Sequence, residues 1–284
     1  MSILYNGDCL EEMKQVEDNS IDLILTDPPY NINHNNLKWD TVDNYIDFMI
    51  NVFKESFRVL KDNGTLYFFH NDFKQMTELQ HSIEKYTDFK FYTLITITKD
   101  TYIPKIFPKT KNWISCCEYL LVYVKDVMEE EKLIQYFQKI YKKINKTKTQ
   151  IKRDIPLADH CFRVSKNNFS LPIKETYDKI IDLYKLKDCK LYDKLKITYN
   201  GVSQPNHIHC SFKKNKKTKH PCEKPHDLLC NIINTSSNEG DTVLDMFMGC
   251  GSTGIACNSL NRNFIGIEKN KEYFDEAFNI INID

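Results

Sequence analysis

A mostly parallel α/β sheet covered by helices on both faces is the fold this sequence predicts. Three observations predict it. Strand and helix signals alternate at both ends of the 284-residue chain. An apolar strand, Ile21–Thr26, is halted by Asp27-Pro28-Pro29-Tyr30. A glycine-rich turn, Gly249 to Gly254, lies between a strand signal and a helix signal.

The elements follow in order. Ser2–Tyr5 reads as a short strand, Cys9–Val16 as a helix and Ile21–Thr26 as the next strand. Val42–Leu60 carries apolar residues at 45, 46, 49, 52, 53, 57 and 60, which is helical spacing. Asp62-Asn63-Gly64 reads as a turn before a strand at Thr65–Phe69. Asp72–Lys85 is a predicted helix capped by Asn71 or Asp72. The β-branched and aromatic runs Phe89–Thr98 and Cys116–Val124 are predicted strands. Near the C-terminus come a helix at Leu228–Asn234, a strand at Thr242–Leu244, a helix at Ser252–Leu260, a strand at Phe264–Ile267 and a helix at Tyr273–Ile281. No internal repeat is present, and the biased patches are KKINKTKTQIKR and KKNKKTK.

Composition bounds the function. At 41% hydrophobic residues the chain can bury a full core. No apolar run reaches the roughly 20 residues of a membrane span. The start, MSILYNGDCLEEM, lacks the basic and apolar regions of a signal peptide. Ten cysteines without a CxxC pair are expected as free thiols in a reducing compartment, the cytoplasm of a bacterial-type cell or, for a viral chain, a host compartment holding DNA. The zero net charge conceals an asymmetry. Residues 126 to 219 hold 22 basic and 11 acidic residues, net +11, leaving 17 basic and 28 acidic, net −11, in the rest. That division suits a polyanion-binding module set into an acidic domain, and equally a solvated, lysine-rich helical surface.

Two short motifs carry the chemistry. Pro28 and Pro29 lack backbone N–H donors, so the strand ends at Asp27. What remains there is a stiff carboxylate, fixed carbonyls and the aromatic Tyr30. The second motif is VLDMFMGCGSTGIA, where Gly249, Gly251 and Gly254 fit G-x-G-x-x-G between strand and helix. Glu268, at the end of the next strand, is placed to accept ribose hydroxyls. A nicotinamide-binding oxidoreductase is therefore one reading. Asp245 and Phe247, just ahead of the glycines, suit a cationic or amine-bearing ligand better than a pyrophosphate.

Taken together, NGDCLEEM, SIDLILTDPPYNI, RVLKDNGTLYFF, CCEYLLVYVK, TKHPCEKPHDLL, VLDMFMGCGSTGIA and FIGIEKNKEY resemble, in that order, the β-class DNA amino-methyltransferases that act on adenine N6 with S-adenosylmethionine. The resemblance covers residues 1–125 and 218–284. It implies a circularly permuted Rossmann-like methyltransferase sheet, mostly parallel with one antiparallel strand. It implies a catalytic half at 1–125, a basic target-recognition insertion at 126–219 and a cofactor half at 220–284. The chain departs from the family's usual HPTQKP, with HPCEKP, and from DPF, with DMF; its glycine loop reads GCGST in place of GSGTT.

Roles carry over residue by residue as what the resemblance implies. The Asp27 carboxylate and the Pro28 carbonyl accept from the target amine, with Pro29 completing the rigid loop, and Tyr30 stacks on an extruded base. Asp8 meets the cofactor adenine, beside Cys9, and Glu268 binds the ribose, beside Lys269. Asp8 is equally a helix N-cap, and Asp245 a cap of the loop. Phe247, Met248, Gly249, Cys250 and Gly251 line the loop under the methionine portion, and Ser252, Thr253 and Lys224 are candidates for its carboxylate and amine ends, with Asp27 bordering the cofactor. Lys213, Lys214, Lys216 and Lys217, with Asn31 and Trp39 beside the catalytic loop, are the expected DNA contacts. The implied partner is duplex DNA, and a homodimer and a cognate restriction endonuclease stay open as further partners. N4-cytosine or RNA adenine-N6 methylation are the alternatives. C5-cytosine methylation is set aside, because the only Pro-Cys pair, Pro221-Cys222, falls in the cofactor-side motif. His207, His209, Cys210, His220 and Cys222 match no common zinc spacing, so no metal is expected. Cys116-Cys117 are read as core.

Overall fold

A sheet covered on both faces needs strands that are apolar on both sides, and the central strands are built that way. Ile21, Leu23, Ile24 and Leu25 of β2 (Ile21–Thr26) and Leu66, Phe68 and Phe69 of β3 (Leu60–His70) are each at most 1% exposed. The computed structural model describes residues 1–32, 41–99, 116–125, 130–156, 158–163, 169–190, 192, 205–211 and 223–281. These fall into two compact units, Met1–Lys125 with Val202–Asp284, and Asp126–Gly201.

In the first unit, β2 and β3 are joined by β1 (Ser2–Asn6), β4 (Lys90–Lys99), β5 (Cys117–Val124), β6 (His207–Cys210), β7 (Thr242–Asp245) and β8 (Asn263–Glu268). The eight form one sheet in the order β1-β8-β7-β2-β3-β5-β4-β6. Neighbours run parallel except around β5, which is antiparallel to both β3 and β4. The mostly parallel sheet is as the strand–helix alternation predicts, and its one antiparallel strand is as the family resemblance implies. The junction of the two ends of the chain is the β2–β7 pair, in register at Leu23↔Val243 and Ile24↔Leu244.

Alternation along β2 sends its side chains to two cores. Ile21 and Ile24 pack with residues of α1 (Cys9–Glu12), α2 (Tyr45–Val59) and α3 (Phe73–Tyr86), including Cys9, Phe53, Met76 and Leu79. Leu23 and Leu25 pack on the other face with α7 (His226–Ser236), α8 (Ser252–Ser259) and α9 (Lys271–Ile281), through Leu229, Ile233, Cys257 and Ile281. The N-terminal helices therefore cover one face and the C-terminal helices the other.

The second unit is helical and has its own core. α4 (Glu130–Ile144), α5 (Lys148–Asp154) and α6 (Lys174–Leu183) surround Phe137, Phe162, Tyr177 and Tyr192. A reciprocal capping box between Thr147 and Gln150 starts α5. Lys139, Lys142, Lys143, Lys152 and Arg153 are exposed around it.

Four sequence expectations come out differently. Cys9–Val16 is not one helix: a single α-turn passes into a 3-10 turn at Met13–Gln15. Asp62-Asn63-Gly64 is no free-standing turn but a bulge inside β3, where the register with β2 jumps from Ile21↔Leu60 to Leu23↔Thr65. The second unit closes at Gly201, short of residue 219, because His207–Cys210 pairs with Thr96–Lys99 at the sheet edge. Cys116 and Cys117 are half-buried at the start of β5 rather than core. Of the two cap candidates for α3 it is Asp72 that accepts, from the Gln75 N–H at 2.8 Å.

Candidate active site

Parallel strands deliver their C-terminal ends to one edge of the sheet, and in open α/β sheets that edge is where ligands bind. Here β1, β8, β7 and β2 lie side by side. Each ends at, or within two residues of, a carboxylate: Asp8, Glu268, Asp245 and Asp27, respectively. The two motifs at opposite ends of the sequence are thereby brought into one row.

Asp8 caps α1, accepting from the Leu10 N–H at 3.1 Å, and its other oxygen pairs with the Lys269 ammonium at 3.0 Å. Both of the roles open from sequence, cap and ligand acceptor, are compatible with this placement. Glu268 accepts from Gly249 N–H at 2.8 Å and from Asn270 N–H at 2.6 Å. Burial pushes its carboxyl above the usual range, and the N–H groups of Asn270, Gly249 and Lys269 partly offset that. Gly249 and Gly251 both have positive φ, 54° and 85°, and a Cβ on Gly251 would stand 2.7 Å from Ile281 Cδ1. The glycine loop is therefore a close-packed turn resting on α9 and tied to Glu268.

Asp245 is 3% exposed, and both its oxygens are taken. Thr26 Oγ1 donates at 2.8 Å and Phe247 N–H at 3.1 Å to one; Thr253 Oγ1 donates at 2.7 Å to the other. Desolvation pushes this carboxyl up to about 6. Its geometry is that of a loop clamp, and Thr253, a candidate for the ligand's charged end, is turned inward to serve it. Met248 and Cys250 are buried at 3% and 2%, so what they offer a ligand is backbone. Cys9 is buried too, and desolvation with the neighbouring Asp8 pushes its thiol up to about 12, which makes it a packing residue. Phe247 meets Phe48 edge-on at 6.2 Å, and Ser252 opens α8, half-buried.

At the end of β2, Tyr30 is half-buried, not exposed. Its hydroxyl donates to Asp27 Oδ1 at 2.5 Å, and its ring lies 4.8 Å from that of His70. His70 is wholly buried: its Nδ1 accepts from the Asp72 N–H at 3.1 Å, leaving Nε2 to face the Tyr45 hydroxyl at 3.3 Å. Asn31 Oδ1 accepts from the Val42 N–H at 3.0 Å. Lys224 puts its ammonium 2.7 Å from Asp27 Oδ2 and 3.4 Å from the Tyr30 hydroxyl. It is 7% exposed and lies over the Phe69 ring at 4.8 Å. Lys224 thus stands at the Asp-Pro-Pro-Tyr loop.

Behind Lys224 is a residue that sequence reading missed. Glu118, on β5, has Oε2 3.4 Å from the Lys224 ammonium and Oε1 2.5 Å from that of Lys99. Burial raises its carboxyl, but the two ammoniums outweigh burial and hold it below the usual range. The one signal in the sequence is a single acid inside the apolar run CCEYLLVYV. Lys213, Lys214, Lys216, Lys217 and Trp39 lie outside the described residues, as do His220 and Cys222. Among the described residues no group of three metal-ligating side chains comes together, and no helix is long and apolar enough to cross a membrane.

Comparison with known proteins places this arrangement. The model of the DNA methylase family, which covers N6 and N4 enzymes, matches residues 21–279. The chain is 28% identical over 281 residues to the Type II methyltransferase M.HpaI of Haemophilus parainfluenzae, covering 96% of this chain and 72% of that protein. It is 29% identical over 276 residues to the DNA adenine methyltransferase YhdJ of Escherichia coli K12, covering 95% and 79%. Among solved structures, the M1.HpyAVI–SAM complex superposes with a TM-score of 0.59 at 22% identity, covering 99% of this chain and all of that one. The cytosine-N4-specific PvuII DNA methyltransferase superposes with a TM-score of 0.62 at 14% identity, covering 100% and 86%. Both show the fold that the two chains share.

Proposed function

This chain belongs to the N6/N4 DNA methylase family, and on that premise we propose that it methylates adenine N6 in duplex DNA using S-adenosylmethionine. The observation that carries the reading is the Asp27 carboxylate. It stands at the end of β2 with Tyr30 and Lys224 on its two oxygens, in the same row of strand ends as the Glu268-tied glycine loop.

The residues fit the cofactor. A row of four carboxylates suits a ligand bearing a sulfonium and an ammonium, and the positive-φ glycines let its methionine portion approach the backbone. Glu268 would hold the ribose, Asp8 the adenine amine, and the loop from Phe247 to Ser252 the methionine portion. S-adenosylmethionine supplies an electrophilic methyl group.

The rest falls to the protein. An adenine amine is a poor nucleophile because its lone pair is delocalised into the ring. Asp27 and the Pro28 carbonyl accept its two N–H groups and favour a tetrahedral nitrogen aimed at the methyl carbon. Tyr30 leaves Asp27 Oδ1 to stack on the extruded base. Asp27 thereby positions a single displacement with no covalent bond to the protein: the N6–C bond would form as the S–C bond breaks, S-adenosylhomocysteine would leave as a neutral thioether, and the surplus N6 proton would pass by way of the Asp27 carboxylate to solvent. The family also includes N4-cytosine enzymes, and YhdJ, the relative named as an adenine methyltransferase, favours adenine here.

The basic segment 126–219 is the part we assign to target recognition, on its net +11 charge. A site of action on cytoplasmic DNA accompanies this reading. A homodimer and a cognate restriction endonuclease are the partners to seek, by light scattering and by digestion of unmodified host DNA. The deciding experiment incubates the protein with DNA and methyl-labelled S-adenosylmethionine and hydrolyses the product to nucleosides. Label in N6-methyldeoxyadenosine is expected; label in N4-methyldeoxycytidine, or in RNA alone, overturns the reading.

A further inference from the structure

The four side chains Lys99, Glu118, Lys224 and Asp27 form a charge row running inward from the sheet edge, with contacts of 2.5, 3.4 and 2.7 Å. Two strands that are sequence-distant from the catalytic loop supply its outer half. The β4–β5 register sets Ile97 opposite Glu118 and Thr98 opposite Cys117. Lys99 and Glu118 therefore meet on the diagonal. β5 extends two residues, Cys117 and Glu118, beyond the end of β3, where His70 pairs with Tyr119, so Glu118 stands level with the loop that follows β2.

A buried ion pair is costly to assemble and more costly to break from one side. Glu118 and Lys224 are 7% exposed each. Glu118 Oε2 is buried with no directed hydrogen bond; the Lys224 ammonium, 3.4 Å away, is its charge partner. A leucine or valine, like Leu120, Leu121, Val122 and Val124 of the same strand, would spare that desolvation cost. Retaining an acid there therefore calls for a task at the lysine. Lys224 has two jobs that compete. Its ammonium must anchor Asp27 Oδ2 so that Oδ1 alone is offered to the substrate amine. It must do so without bringing an uncompensated positive charge to a site that receives a sulfonium cation. A single carboxylate partner would leave Lys224 free to rotate about its long stem and to draw Asp27 with it. A second carboxylate on the opposite side fixes the ammonium between two acids, and Lys99 neutralises the second acid in turn.

We propose that Glu118 is a positioning residue for methyl transfer, acting through Lys224 to fix the orientation of the Asp27 carboxylate. The proposal rests on the assignment of Asp27 as acceptor of the target amine. Its expected signature is a loss in the chemical step with binding preserved, because Glu118 reaches Asp27 only through Lys224.

The experiment is a double-mutant cycle read by steady-state and single-turnover methylation. Glu118→Gln keeps the shape and removes the charge. It is expected to lower kcat by about 10- to 100-fold while KM for S-adenosylmethionine and DNA changes less than about 3-fold. Lys224→Gln is expected to lower kcat at least as much, and Glu118→Gln added to it to change kcat less than about 2-fold, since the route to Asp27 is already cut. Glu118→Asp is expected to recover part of the loss. Should Glu118→Gln not fold, Glu118→Gln with Lys99→Gln removes a whole ion pair and leaves no orphan charge, and the same fall in kcat is expected. An unchanged kcat in a folded Glu118 variant overturns the positioning role, as does a loss that multiplies independently onto Lys224→Gln, or one carried by KM. Parent activity and its loss in Asp27→Ala are measured first. An active Asp27→Ala variant overturns the acceptor assignment itself, and a silent Glu118 variant beside an inactive Asp27→Ala overturns only the positioning role.

Discussion

Thr26 and Asp245 share a buried hydrogen bond of 2.8 Å although 219 positions separate them in the chain. The bond ties the last residue of β2 to the last residue of β7, and so the Asp-Pro-Pro-Tyr loop to the glycine loop. Thr253 completes the clamp from the first turn of α8 at 2.7 Å. Two loops so far apart in the chain need such a tie, because no short connection joins them.

The clamp predicts a pH-dependence of stability. Burial pushes the Asp245 carboxyl up to about 6 from 3.8. Between those values the folded protein keeps a proton that the unfolded chain has released. Folding therefore takes up a proton there, and this residue's contribution to stability falls as pH rises from 4 to 6, by about 3 kcal/mol, and is flat above. Asp245→Asn, which cannot ionise, is expected to flatten that stretch of the curve in urea titrations from pH 4 to 8. Curves for parent and variant that stay parallel would remove the assignment. Asp245→Ala instead strands the hydroxyls of Thr26 and Thr253; it is expected to cost roughly 2–3 kcal/mol at pH 4 and progressively less toward pH 6, where the parent itself loses the contribution of Asp245.

Gly251 carries the second prediction. Its φ of 85° is one that only glycine adopts freely, and its absent Cβ leaves room for Ile281 Cδ1 at 2.7 Å and Ala277 Cβ at 3.0 Å. Gly251→Ala adds backbone strain of about 1–2 kcal/mol and pushes on α9. We expect a lower Tm and at least about tenfold weaker S-adenosylmethionine binding by calorimetry. Gly251→Val should do more. Unchanged affinity in both would place the cofactor elsewhere.

What can be read from sequence divides by range. DPPY and the glycine loop are legible because proline chemistry and positive φ act within a few residues. The helix spacing of α2 and the cap at Asp72 are legible for the same reason. The bulge at residues 61–64 reads as a turn locally, since Asp-Asn-Gly is turn chemistry; only the register with β2 keeps it in the sheet. Lys224 matches the cofactor's charged end by motif, and its place beside Asp27 comes from packing across 197 positions. Glu118 and Lys99 stay illegible because a charge in an apolar strand carries no hint of its partner until the strand order is known.

Asp27→Ala is the direct test of the acceptor role. Asp27 touches Tyr30 and Lys224 and only borders the glycine loop, so S-adenosylmethionine affinity should stay within about threefold. Methyl transfer should fall by at least about a hundredfold, the scale of removing a group that acts on the reacting amine. Retention of more than a few per cent of the parent rate would end that role. Asp27→Asn keeps the shape and is expected to fall nearly as far, because an amide opposes Lys224 poorly and accepts through one oxygen only.

The basic segment is tested through salt. Lysines that neutralise phosphates release condensed counterions, so log affinity falls with log salt by about 0.9 for each phosphate bound on duplex DNA. The segment 126–219 holds net +11 beside a remainder of −11, which makes it the part of the chain able to supply those lysines without working against its own field. Lys213, Lys214, Lys216 and Lys217 are the densest cluster in it. Replacing all four with Gln is expected to weaken binding to every DNA sequence alike. The salt slope should become shallower by about 0.9 for every phosphate that is no longer neutralised. Site preference should not change, since phosphate contacts position the protein and base contacts specify the site. Fluorescence anisotropy across a series of salt concentrations, with a methylation site and a scrambled duplex, measures both quantities. A quadruple variant with the parent's affinity and slope would mean that these lysines form a solvated face, and the phosphate-binding groups would then have to be sought on other parts of the chain. A variant that loses discrimination but keeps its slope would make the same four residues readers of bases.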